Sequence, residues 1–480
     1  MALYAQFFRL WGFFLLCCLP AVAPGQSFEE APPLPPNDFF AWVVRHHPEA
    51  VAAGLLANRA EAAERMARGG FDPKLYADYE QKRFDGNEYF SVGEAGVKVP
   101  TWLGVEIKGS YQIVDGIYLN PERNLPANGQ AGIGLEVSLL RGLVIDERRG
   151  ALRQAELLAA GNMAERRRRI NDLLREAGEV YWDWTVAYNQ LQVQEQALAI
   201  ARDRLGALVS SYQQGDTPAV DTLETFLQVQ TREFDRNEAL VVMRNAAMDL
   251  SNFLWLEGQT PLMLNDSLRP YAWDELNRPL DLAPMEGYLD RLNARHPILQ
   301  QYRVQQQQLE VDRRLAAEQL KPRLDVSYYL LGDGWSFTGD QNGETGLGNW
   351  LQENYKWGLA FEFPLFLRKE RGKLQLTQIK QSEVELKLRE KRQELATKII
   401  AYYNQLENLQ QQIALSRDMV ANYDRLLQAE NRLFQIGESS IFLINSREQK
   451  LLEAQLKLAE LEGKWEKARL KLEWAAGRLE

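Results

Sequence analysis

The sequence predicts a mainly α, α+β chain: a duplicated unit of two β-strands and long coiled-coil helices, with strands of a length that suits a lipid bilayer. Three observations predict it. The chain is written twice, an apolar seam at 3-4 spacing runs through both copies in one register, and segments of period-two alternation precede each seam.

The duplication is read from constant offsets. His47 and His296, Pro48 and Pro297, Pro73 and Pro322, Leu75 and Leu324, and Tyr79 and Tyr328 are each 249 residues apart. Arg149 and Arg371, Gly150 and Gly372, Tyr212 and Phe434, and Gly215 and Gly437 are each 222 apart, so the second copy is 27 residues shorter between these blocks. The interval from Gly150 to Gly215 and that from Gly372 to Gly437 are both 65 residues, although most side chains differ. A length is being specified.

That length is helical. The seam runs from Leu395 through Leu406 and Ile413 to Phe434, and 222 residues earlier from Leu173 through Trp184 and Leu191 to Tyr212; its polar exceptions are Ser416, Glu430 and Gln194. At a rise of 1.5 Å per residue, such helices are about 100 Å long, beyond the diameter of a globular core. Gly215 and Gly437 suit the left-handed residue that ends a helix. Asp216, Thr217 and Ser439 or Ser440 are good starters for the next, with Pro218 suited to a first turn. Each is a hairpin tip, over 212–218 and 434–440. The returning helices are expected at roughly 216–257 and 438–476, stopping at Gly258 and Gly477, and two others at roughly 38–69 and 285–320. One long helix then runs beside two short ones stacked end to end, with an irregular waist segment at 259–284.

The strands are expected at about 73–84 and 131–141 in the first copy and 323–332 and 355–364 in the second. Leu324, Val326, Tyr328 and Leu330 alternate with Asp325, Ser327 and Tyr329, and Trp357, Leu359, Phe361 and Phe363 with Gly358, Ala360 and Glu362. Their lengths fit tilted membrane-crossing strands, and Trp102, Trp335, Trp350 and Trp357 fit an interfacial girdle. Soluble hairpins packed on the helices are the alternative. Lipid tolerates no open sheet edge, and the smallest spanning barrels have about eight strands. Four strands cannot close alone, whereas copies can pool theirs: two give eight, three give twelve. Gly134, Gly358, Ala360, Glu136, Glu362 and Asp325 then face a watery lumen. The insertion at 85–130, containing "TWLGVEIKGSYQIV", adds an external loop or a further strand.

Composition narrows the function classes. The 480 residues are 45% hydrophobic and 25% charged with a formal charge of -10, and no basic block supports a nucleic-acid partner. Arg166 to Arg169 read as a solvated helix face. Residues 1–25 read as a secretory signal: Arg9, the apolar "LWGFFLLCCL", then "AVA" at Ala21 to Ala23, with Pro24 pushing the cut toward Gln26. A lipid-anchored start at Cys17 or Cys18 is the alternative, disfavoured by Leu16 or Cys17 just before it. Both cysteines lie in that leader, so no disulfide or thiolate metal site is expected beyond it. Nowhere later do about 18 apolar residues follow one another, so any insertion is by strands.

Catalytic material is thin. His46, His47 and His296 are the three histidines, and the last two hold matching pre-proline positions suited to starting a helix. No phosphate loop, zinc pattern or serine-histidine arrangement is present, and no enzyme, cofactor or metal is expected. "FDGNEYF" and "TGDQNGETG" have cation-binding composition but also that of ordinary external loops.

The strand-to-helix passages "VSLLRGLVIDERRGALRQAE" and "FPLFLRKERGKLQLTQIKQSE", and the tips "YQQGDTPAVDTLE" and "FQIGESSIFLINSRE", resemble those of the TolC-type outer-membrane efflux proteins over nearly the whole chain after the leader. The resemblance implies a homotrimer whose pooled strands form a twelve-stranded barrel in outer-membrane lipid, continued by a helical tunnel into the periplasm of a Gram-negative cell. It also implies tips docked on a periplasmic adaptor that connects to an inner-membrane pump, as in tripartite efflux or type I secretion. The matching tip positions are Tyr212, Gly215, Asp216 and Thr217 in the first copy and Phe434, Gly437, Glu438 and Ser439 in the second. Acidic gate residues match Asp221 and Glu224, but Leu443 and Ser446 stand at those places in the second tip. Thr217 and Ser439 replace an arginine frequent in the family, so a gate-locking salt bridge there is not implied. The repeats divide the chain at 26–284 and 285–480. A non-conducting trimeric coiled-coil or adhesin of the cell envelope is the competing function.

Overall fold

This computed structural model describes residues 32–117, 124–215, 217–264, 268–273, 280, 282–335 and 354–479. The expected leader at 1–25, Asp216, Trp350 and the "TGDQNGETG" stretch lie outside the described residues. The chain divides into two compact units, one formed by 1–51, 170–289 and 397–480, the other by 52–169 and 290–396.

Eight helices carry most of the described chain: α1 (Pro36–His46), α2 (Pro48–Arg68), α3 (Glu147–Gln214), α4 (Ala219–Ser251), α5 (Met285–Arg295), α6 (Pro297–Glu318), α7 (Arg368–Gln435) and α8 (Ile441–Ala475). The specified length is met twice, since α3 and α7 are both 68 residues long. Their seam is buried as the spacing requires. Leu173, Trp184, Leu191, Leu395, Leu406 and Ile413 are among the most enclosed side chains, and the polar exceptions Gln194, Ser416 and Glu430 are buried too.

Three helix boundaries differ from expectation. The segments expected as single helices over 38–69 and 285–320 each break at a histidine, because the following Pro48 and Pro297 lack an N–H and bias the preceding residue to extended backbone. His47 (φ -65, ψ 133) and His296 (φ -60, ψ 125) take that conformation. The helix expected to reach 257 ends at Ser251, and Gly258 (φ 82) lies inside the turn that follows, which Leu262 N closes by donating to Leu254 O (2.9 Å).

In the first unit, Phe39, Tyr181, Trp182, Trp184, Met243 and Leu250 form the core. The second part of α3 runs antiparallel to α8, and a glycine on each helix lets a side chain of the other come close. A Cβ on Gly178 would meet Leu470 Cδ2 at 2.5 Å, and one on Gly463 would meet Val186 Cγ2 at 2.1 Å. In the second unit the first part of α3 runs antiparallel to α6. Arg168 and Arg169, from the basic run, both pair with Glu165 on their own helix face (2.8 and 2.7 Å). These two guanidinium groups hold the Glu165 carboxyl well below its usual range, at about 2.

The second unit also holds one antiparallel sheet of six strands in chain order: β1 (Lys74–Phe84), β2 (Asn87–Pro100), β3 (Val105–Asp115), β4 (Gln130–Ser138), β5 (Arg323–Leu331) and β6 (Tyr355–Glu362). Four strands were expected. The 85–130 insertion supplies two more, β2 and β3, because the Asp85-Gly86 turn and the turn at 101–104 fold it into the same meander. Among the described residues no helix is long and apolar enough to cross a membrane.

Candidate pore lining and helical tips

Strand register sorts the sheet into two chemically distinct faces. One row places Val99, Ile107, Leu135, Tyr328 and Trp357 opposite one another in turn, and the row below it Val105, Val137, Val326 and Leu359. Leu75, Tyr79, Ile113 and Phe361 fall on the same face by the alternation of strands, and all four are exposed. The rows between hold the other face. Lys74, Lys98, Lys108, Gly134, Tyr329 and Lys356 lie in one line across all six strands. Glu106, Glu136 and Ser327 lie in the next, then Ser138, Asp325 and Ala360. A surface apolar on one side and charged on the other, with strands of 8 to 14 residues, matches what lipid outside and water inside demand.

The three expected lumen carboxylates therefore share one face, but they are not equivalent. Asp325 is 8% exposed, accepts from Ser138 Oγ and pairs with Arg323 Nε, whereas Glu362 is exposed opposite Arg323. Sequence reasoning missed the lysine row. Lys108 is held by Glu94 (2.8 Å) and by the face of Tyr76, whose hydroxyl donates to Glu94 (2.6 Å). Its signal was present in the insertion, where Lys98 stands between Val97 and Val99 and Lys108 between Ile107 and Gly109, but Gly93, Ala95 and Gly109 weaken the alternation.

Both tips turn on their glycines. Gly215 (φ 85) donates to Tyr212 O and Gly437 (φ 81) to Phe434 O, each at 3.0 Å, in a conformation that a side chain strains. Beyond the turn, Ser440 caps α8 by accepting from Leu443 N, while α4 begins after Pro218 with no side-chain cap. Ser439 instead donates to the buried Glu430, which also pairs with Arg447 (3.4 Å), so the second tip is tied to its own stem. This explains the charge within that seam.

Tyr212, a seam position in sequence, is 48% exposed. Phe434 packs with Leu208, Ile441 and Ile444, joining the two hairpins near their ends. Gly437 and Glu438 are exposed and Thr217 is half-buried. Missed by sequence are Val220 and Leu223 on one tip and Ile436 and Phe442 on the other, all exposed apolar side chains flanking the turns.

Asp221 and Glu224, the expected gate residues, lie half-buried in the first two turns of α4, with Glu224 Oε1 accepting from Asn445 Nδ2 of α8 (3.3 Å). Behind them is a buried charged layer. Arg204 donates to Glu448 and to Asn445 (3.3 Å), and Arg232, 1% exposed, lies 3.8 Å from Asp235 and beside Glu448. Burial lowers the Arg232 pKa, and the Glu448 and Asp235 carboxylates oppose that shift. The histidines start helices: Glu49 N donates to His47 Nδ1 (3.2 Å) and Ile298 N to His296 Nδ1 (3.3 Å).

Residues 288–478 match the family described as outer membrane efflux protein. No curated protein matches the chain significantly. Among solved structures, the open state of the Neisseria gonorrhoeae MtrE outer membrane channel is similar at a TM-score of 0.64 and 12% identity, covering 93% of this chain and 89% of its own. Vibrio cholerae outer membrane protein VceC is similar at 0.61 and 15%, covering 92% and 96%. The Campylobacter jejuni CmeC outer membrane channel is similar at 0.59 and 12%, covering 92% and 85%. The fold over more than nine-tenths of the chain is thus that of outer-membrane channels.

Proposed function

On the premise that the chain is an outer membrane efflux protein, matched over residues 288–478, we propose that it is the passive outer-membrane conduit of a multi-protein export assembly. Three copies pool their sheets into one closed barrel in the outer membrane, and their helices continue the duct into the periplasm. The two tips of each copy dock on a periplasmic adaptor, through which an inner-membrane pump is engaged. The observation that supports this most strongly is the two-faced sheet, apolar on one side and charged on the other, whose edge strands β1 and β6 have no further strand beside them among the described residues. A lone copy would leave those edges unsatisfied in lipid.

Tyr212, Gly215, Asp216 and Thr217 with Phe434, Gly437, Glu438 and Ser439 form the docking tips, and the exposed Val220, Ile436 and Phe442 add apolar area a partner can cover. The adaptor opens the mouth by binding its open arrangement more tightly, which is all a ligand can do to a two-state equilibrium. Asp221 and Glu224 of three copies place six carboxylates around that mouth and favour cations. Glu136, Glu362 and Asp325 contribute to the barrel's inner wall. The test is ion current across a planar bilayer: discrete channel openings that grow when the adaptor is added support the reading. A trimer that inserts without current supports a structural role instead.

A further inference from the structure

We propose that the barrel is built from all six strands of each copy, eighteen in three, with β6 of one copy pairing to β1 of the next. The inference rests on the shared-barrel reading above and adds the identity of the edges and the width of the lumen.

The insertion strands obey the same partition as the rest. Along β2 and β3 the lipid-side rows hold Ala95, Val97, Val99, Ile107, Tyr111 and Ile113, and the rows between hold Glu94, Lys98, Glu106, Lys108 and Gln112. A hairpin lying outside the barrel would have no reason to keep that phase. The two edges of the sheet are β1 and β6, and each is exposed at all positions but one. An even strand count makes β1 and β6 run in opposite directions, so joining copies edge to edge preserves antiparallel pairing around the whole ring.

Register supplies the tilt. The row through the middle of β1 (Tyr79, Gly93, Ile113) runs off the end of the ladder to β4, which stops at Gln112 opposite Gln130. The row through Ser327 and Gly358 lies beyond the start of β1 at Lys74. Strand mid-points thus drift by about 1.5 residues per strand, or about 5 Å against a spacing of about 4.8 Å, a tilt of roughly 45°. That is the tilt of membrane barrels. Eighteen strands so tilted give a backbone diameter of about 39 Å, against about 26 Å for twelve. Continuing the drift across the join sets Tyr79 of one copy opposite Leu359 or Phe361 of the next, the two positions on the matching face.

Cysteine pairs test this, because Cys17 and Cys18 are the only native cysteines and both lie in the leader. Full-length chains carrying Tyr79→Cys or Ala77→Cys with Leu359→Cys or Phe361→Cys are oxidised in outer membranes and run on denaturing gels. Chains carrying Ile107→Cys or Ile113→Cys with Leu359→Cys are treated alongside. The expected result is a band at three times the chain mass from at least one β1/β6 pair and none from the β3/β6 pairs, with Leu75→Cys/Val97→Cys and Ile107→Cys/Leu135→Cys also oxidising within the chain; β1/β6 trimers without those two internal links would mean a twelve-stranded ring of β1, β4, β5 and β6. Trimers from the β3/β6 pairs alone would overturn the eighteen-strand closure while keeping the shared barrel. Monomer from every pair, in a protein that extracts as a monomer, would remove both.

Discussion

Replacing Gly463 by Ala at the α3–α8 contact tests the packing of these two helices. A Cβ there would stand 2.1 Å from Val186 Cγ2, whereas carbon pairs rest at about 3.5–4.0 Å, so one helix must yield by roughly 1.4 Å. Val186 cannot rotate away, because a β-branched residue in a helix has essentially one rotamer. Overpacking of this kind costs about 1–3 kcal/mol, and the better helix propensity of Ala returns about 1 kcal/mol, leaving a net loss of about 1 kcal/mol. Val186→Ala alone loses about 1 kcal/mol of packing. In the double variant the new methyl occupies the space vacated at Val186, so the two losses do not add and a coupling of about 1–2 kcal/mol is expected. The assay is denaturant unfolding of the detergent-purified protein followed by far-ultraviolet circular dichroism. If Gly463→Ala stabilises the protein and the double variant is additive, the close helix approach is wrong.

Acid stability carries the mark of His296, which is 2% exposed and whose pKa falls from 6.5 to about 4 through burial, with Lys391 adding to the shift. The unfolded chain takes up that proton first, so the contribution is intact above pH 6.5 and is lost as pH falls to about 4, amounting to about 3 kcal/mol. His296→Asn keeps a capping side chain and flattens this part of the stability curve; an unchanged curve refutes the buried neutral histidine. Glu448→Gln leaves Arg204 and Arg232 without their shared carboxylate and lowers stability by about 3–5 kcal/mol, read as a lower urea midpoint. Asp221→Asn with Glu224→Gln reduces cation over anion permeability in single-channel recordings, and unchanged selectivity removes these two from the mouth. Gly437→Ala strains the second tip by about 1 kcal/mol and weakens adaptor binding measured by calorimetry, whereas tighter binding would show that the turn does not need its left-handed residue.

Much of this architecture is legible in sequence because it depends on spacing. The seam's buried face follows from 3-4 periodicity alone, and the tips follow from a glycine repeated at a constant offset. The four expected strands lie within three residues of their predicted ends, since bulky apolar residues alternate with polar ones in them. The inserted strands were obscured for the opposite reason. Their positions on the apolar face include Gly93, Ala95 and Gly109, which dilute the period-two signal until pairing with β1 and β4 reveals it. Two helix breaks hid behind His-Pro pairs that also suit a helix start, and the short side chains of Ser439 and Ser440 gave no hint of which one caps α8. The buried layer of Arg204, Arg232 and Glu448 was invisible because each lies on a different helix, and only the fold brings them together.

A cryo-microscopy map of the protein in lipid nanodiscs tests the conduit most directly. The account predicts a threefold ring in which the apolar face of every sheet meets lipid and an unbroken wall encloses a central lumen. A single copy whose sheet is covered by its own helices, with no wall shared between copies, would contradict it.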